Sequence, residues 1–152
     1  MEKWSRYQPL IQNWGSSMIH AAFTIQDKII HIILKNSAGR VIHHGMIRSE
    51  RCDEVGEWLA CKAAIREAGI HTRGPVRLYS DLAIVRKLAT LDPQYRRTEP
   101  MCWPEGWGPL PQIHEPTLYH FYDTLTMLWQ LFNGKWEAVQ TTQERILNND
   151  GH

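Results

Sequence analysis

The stretch of residues 54–68 constrains this chain more than any other part of it. Ala60, Cys61, Ala64 and Ala68 recur at helical spacing on the face that also carries Glu57. Asp53 stands where an N-cap belongs, and Gly69 where a C-cap glycine is expected. A helix with methyl-sized side chains along one face can bring its backbone close to a flat neighbour. The flat neighbour in a globular protein is a sheet, so the chain is expected to be α/β.

Strands for that sheet are found on both sides of the helix. Residues 18–25, 28–35 and 41–48 read as three β-strands, with Asn36-Ser37-Ala38-Gly39 as the turn between the last two. Val55, Trp58 and Ile65 widen the apolar surface of the helix. After Pro75, residues 76–79 form a short strand closed by Ser80-Asp81, and residues 82–89 form a second helix, so a βαβ unit is expected. Residues 90–116 hold six prolines and form the one long irregular region. Thr117 can cap a third helix in which Leu118, Phe121, Tyr122, Leu125, Leu128 and Phe132 repeat at helical spacing, ending at Asn133-Gly134. Residues 135–141 make a fifth strand and residues 143–149 a short last helix.

Composition is permissive. With 152 residues, 43% hydrophobic, 22% charged and a formal net charge of +1, the chain fits one ordinary globular domain. Residues 1–16, with Trp4, Tyr7 and Trp14, show no sustained period and are read as an N-terminal arm. Residues 17–150 are the domain. No apolar run approaches the ~20 residues that span a bilayer, and no signal peptide is evident, so an intracellular protein, cytoplasmic or nuclear, without membrane contact is expected. The odd set of Cys52, Cys61 and Cys102 lacks C-x-x-C spacing and reads as idle thiols.

The order of pieces resembles the ribonuclease H-like superfamily, in its cellular and retroviral type 1 form. Glu57-Trp58-Leu59-Ala60-Cys61-Lys62-Ala63-Ala64-Ile65 looks like that family's first helix, and Leu78-Tyr79-Ser80-Asp81 like its fourth strand. Gly106-Trp107, Pro111, Leu118 and Lys135-Trp136-Glu137-Ala138-Val139 resemble its linker, long helix and last strand. The likeness spans residues 18–148 and implies a mixed five-stranded sheet flanked by helices.

The resemblance also implies chemistry. Such enzymes cleave the RNA strand of RNA–DNA hybrids with two Mg²⁺ or Mn²⁺ ions, which need several converging carboxylate oxygens. The family supplies an Asp ending strand one, a helix Glu, an Asp ending strand four, and an Asp on the last helix. Glu57 and Asp81 match the second and third. At the first position stands Thr24 or Ile25, and Leu147 falls at the fourth. Asp27, Glu144 and Asp150 are the nearby substitutes. Thr141-Thr142 replaces the Gly-His of many members, so the histidine linked to product release is lost.

Each of these residues has a plainer reading. Asp81 can N-cap the second helix, Glu57 can be a solvated first-turn residue, and Asp27 can be a turn residue. The basic stretch containing Arg73, Arg77, Arg86, Lys87, Arg96 and Arg97 can face phosphates or simply face solvent. Trp103 and Trp107 can stack on bases or form a hydrophobic lid on the third helix. His43 and His44 point to opposite faces of one strand, so they do not share a metal.

The expectation is a domain, descended from a retroelement polyprotein, whose incomplete carboxylate set leaves a non-catalytic role in binding nucleic acid or protein. Two alternatives stand beside it. One is an active hybrid-cleaving enzyme with a rearranged site of Glu57, Asp81 and Asp27 or Asp150. The other is a protein-interaction module that uses the aromatic linker.

Overall fold

The computed structural model describes residues 18–51 and 53–148. The N-terminal arm, Cys52 and Asp150 lie outside the described residues.

Five strands form one sheet in the order β3-β2-β1-β4-β5. β1 (Ile19–Gln26), β2 (Ile29–Lys35) and β3 (Val41–Arg48) are an antiparallel meander, and β4 (Val76–Ser80) and β5 (Trp136–Gln140) add in parallel beyond β1. The β1–β2 connection is tighter than the sequence suggests. β1 runs to Gln26, and Asp27 and Lys28 both take positive φ, 53° and 63°, as the two-residue primed hairpin loops require.

Helix α1 (Glu54–His71) lies between the sheet and α4 (Pro116–Phe132). Ala60, Cys61, Ala64 and Ala68 are fully buried, as the small-residue stripe predicts. So are Trp58 and Ile65, because the helix is covered on two sides. Gly69 corrects one expectation: α1 continues past it and ends at Thr72. A Cβ on Gly69 would stand 3.1 Å from Leu131 Cδ1, so this glycine serves the close approach of α4 and not a C-cap.

The second helix is shorter than expected, α2 (Ala83–Leu88). The long irregular region contains one turn of helix, α3 (Pro93–Arg96), whose N-cap Asp92 accepts a bond from the Tyr95 N–H at 2.8 Å. α4 starts at Pro116 with Glu115 at the N-cap position, two residues ahead of the expected Thr117 cap, because Pro is well placed in a first helical turn. It ends as expected at Asn133, which takes φ 57°. The last helix, α5 (Gln143–Asn148), packs on the opposite sheet face, where Ile146 meets Ala22 and Ile33. Cys61 is buried and its thiol is pushed up to about 12 by desolvation, which keeps it unreactive. Among the described residues no helix is long and apolar enough to cross a membrane.

Candidate functional site at the carboxyl ends of β1 and β4

Parallel pairing of β1 with β4 brings their carboxyl ends together, with Phe23 opposite Ser80. Ser80 is buried and donates its hydroxyl to the Phe23 carbonyl at 2.6 Å. The residues one step further on, Thr24 and Asp81, therefore meet. Thr24 Oγ1 donates to Asp81 Oδ1 at 2.6 Å. Strand alternation sends the two candidates for the first position to opposite faces: Thr24 is fully buried in this corner, whereas Ile25 packs against the main core.

A third side chain closes the corner from α5. The Gln143 amide Nε2 donates to Thr24 Oγ1 at 3.0 Å and to the Ile25 carbonyl at 2.8 Å. Thr24 thus accepts from an amide while donating to a carboxylate, using both capacities of its hydroxyl. Leu147, at the expected fourth position, is half-buried one turn further along α5. The sequence reading passed over Gln143. Its position at the start of a helix gave no sign that it reaches a strand more than a hundred residues earlier.

Glu57 projects from the first turn of α1 toward α2. Its Oε1 accepts the Ile84 backbone N–H at 3.2 Å. That bond corrects both plainer readings. Leu82, not Asp81, holds the α2 N-cap position and offers no side-chain cap, so the orphan donors of the first turn are met from elsewhere. Ser80 Oγ accepts the Leu82 N–H at 3.2 Å and Glu57 accepts that of Ile84. Glu57 is then a cap supplied from another helix.

Asp27 sits exposed in the hairpin turn, beyond the end of β1. Among the described residues no three His, Cys, Asp or Glu side chains are grouped so as to hold a metal ion. A pair of Mg²⁺ ions asks for several anionic oxygens free to converge. Here Asp81 and Glu57 are each engaged by hydrogen-bond donors, and a threonine and a glutamine complete the corner. These residues do not fit a two-metal centre.

The basic residues separate into two groups. Arg77 pairs with Glu137 at 2.8 Å across β4 and β5, Arg73 bonds the Gly69 carbonyl, and Arg96 bonds the Leu91 carbonyl and lies over the Trp136 ring at 5.6 Å. Arg86 and Lys87 are exposed on α2, and Arg97 is exposed at the end of α3. Lys87 lies 5.7 Å from the Trp107 ring centre and borders a cleft of about 220 Å³ that Glu57 also lines. Trp103 and Trp107 pack edge-on against Phe121 of α4, with centroid distances of 4.8 and 5.2 Å. Their indole N–H groups are used by the Gly108 carbonyl and Thr90 Oγ1. That arrangement is the lid reading.

No family model and no curated protein matches the sequence. Solved structures do match. RNase H1 from the halophilic archaeon Halobacterium salinarum NRC-1 has a TM-score of 0.55 at 16% identity, over 87% of this chain and 89% of that one. LC11-RNase H1, solved in complex with an RNA/DNA hybrid, has a TM-score of 0.54 at 14% identity, over 84% and 86%. The foamy viral protease-reverse transcriptase, also solved with an RNA/DNA hybrid, has a TM-score of 0.54 at 12% identity, over 88% of this chain but 18% of that one. At such low identity the likeness is one of architecture, and it agrees with the strand order, the meander and the placement of α1: the chain has the ribonuclease-H-like fold.

Proposed function

We propose that this chain is a ribonuclease-H-like domain that binds nucleic acid without efficiently cleaving it. The observation that carries the reading is the Thr24–Asp81–Gln143 network. A position that would need a carboxylate bridging two cations holds a neutral hydroxyl, and its proton is directed at Asp81. A cation entering the corner would have to displace the Thr24 hydroxyl that Asp81 accepts, and with it the Gln143 amide that holds that hydroxyl in place.

Binding is supported more modestly. Two architectural relatives were solved with RNA/DNA hybrids, and Arg86, Lys87 and Arg97 are exposed cations, of which Lys87 borders the cleft that Glu57 lines. Asp53, Glu54 and Glu57 line the cleft beside Lys87 and oppose phosphates there, so modest affinity follows. Binding is salt-dependent, with log K falling roughly 0.7–0.9 per phosphate contact for each log unit of salt.

A labelled RNA–DNA hybrid titrated with Mg²⁺ and Mn²⁺ tests both halves. The reading expects retention of the hybrid at low salt and no cleavage above background. Cleavage that Asp81→Asn abolishes would overturn the non-catalytic half. Failure to bind hybrid, duplex or single strand at low salt would overturn the other. Thr24→Asp combined with Gln143→Asp should return metal-dependent cleavage, since it supplies the missing carboxylates where the network now stands.

A further inference from the structure

The two edges of the sheet differ. β5 contributes five residues, whereas β3 presents eight, Val41–Arg48, with no strand paired outside it among the described residues. An unpaired edge of that length offers a row of free N–H and C=O groups and is ordinarily covered or blunted. β3 is neither short nor interrupted by proline, and its apolar side chains are open: Met46 is 62% exposed, Ile47 44% and Val41 39%. Glu67 of α1 reaches His43 at 3.3 Å, and Ile70, in the next turn, is 73% exposed. A strip of exposed apolar side chains thus follows this edge on both faces of the sheet.

We propose that β3 pairs with β3 of a second copy of this chain, antiparallel about a twofold at Gly45, joining two five-stranded sheets into one continuous sheet. The register follows from two requirements. Residues whose backbone groups point outward must face each other, so paired residue numbers share parity. Charges at the ends must also match. A twofold at residue 44 would set Arg40 against Arg48, and one at residue 46 would set Glu50 against Ile42. Only the centre at Gly45 sets the exposed Arg40 against the exposed Glu50, at both ends by symmetry.

That register also suits the strip. His44 meets Met46 on one face and His43 meets Ile47 on the other, while Gly45 meets itself where two backbones approach. Glu50 already pairs with Arg48 of its own chain at 3.3 Å, and the partner's end would place its carboxylate between two guanidiniums. The irregularity in the β2–β3 ladder, between Leu34 and Lys35, lies at the Val41–His43 end and leaves His43–Ile47 as the regular central ladder.

Sedimentation of the full chain over a concentration series reads the assembly directly. Wild type is expected to dimerise. Arg40→Glu, which turns two attractive contacts repulsive, should raise the dimer dissociation constant roughly five- to thirty-fold, as should Glu50→Arg. The double variant Arg40→Glu/Glu50→Arg should recover most of the loss. Both positions of the test are solvent-exposed, and unchanged thermal unfolding at low concentration checks that each variant folds. A wild type that stays monomeric across the series, or a dimer that the charge swap weakens without rescue in the double variant, overturns the proposal.

Discussion

The interface of α1 with the sheet and the corner at the ends of β1 and β4 are built in opposite ways. The first is dry and repetitive: Ala60, Ala64 and Ala68 lie against the strands while Trp58 and Phe121 meet edge-on at 6.2 Å between α1 and α4. The second is a single chain of hydrogen bonds among Gln143, Thr24 and Asp81. The interface holds the architecture of the ribonuclease-H-like fold, and the corner holds the residues on which the proposed loss of cleavage rests. A scaffold of many small contacts tolerates drift in sequence, whereas a metal centre fails with the loss of one carboxylate.

The comparison can be strained most severely at the interface. Trp58→Ala should lower the unfolding free energy by about 3–5 kcal/mol, because a fully buried indole leaves a cavity on two fronts. Chemical denaturation measures it. A loss below about 1 kcal/mol would mean that α1 is not held as described.

At the corner the expected loss is smaller but coupled. Thr24→Val should cost about 1.5–3 kcal/mol, since it removes a donor to a carboxylate and takes from the Gln143 amide one of its two acceptors. In an Asp81→Asn background the same change should cost distinctly less. Equal costs in the two backgrounds would show that Thr24 and Asp81 do not interact. An exposed cap should matter less still: Asp53→Ala, which loses the bond to the Gly56 N–H at 3.1 Å, should cost about 0.5–2 kcal/mol.

The smallest effect is one of pH. Burial holds both His31 and His120 below the ordinary imidazole value, with His44 adding to the effect at His31 and Lys62 at His120. The unfolded chain then takes up protons more readily than the folded one as pH falls through about 6.5, so stability declines on acidification from neutral. Replacing both histidines with Gln should flatten stability between pH 7 and pH 5. An unchanged slope would place the titrating groups elsewhere.

Most of the architecture was legible in the sequence because it depends on repetition. Alternation located β2 and β3 to within a residue, and the small-residue stripe placed α1 on the sheet. The misreadings involve glycines and caps with more than one possible use. Gly69 looks like a helix stop until α4 is seen against it, and Thr117 looks like a cap until Pro116 is found to open the helix. The corner was legible only in part. Glu57 and Asp81 announce themselves by motif, and the missing acid at Thr24 or Ile25 is visible as a gap. That Thr24 fills the gap, that Gln143 joins it, and that Glu57 caps α2 all depend on contacts between residues far apart in the chain. No local spacing encodes them.

The central claim is that the corner is complete without metal, and thermal unfolding in millimolar Mg²⁺ tests it most directly. Wild type and Asp81→Asn should each unfold at the same temperature with and without the ion, because among the described residues no set of carboxylates is grouped to bind it. A marked Mg²⁺ stabilisation of wild type that vanishes in Asp81→Asn would contradict the account and restore Asp81 as a metal ligand.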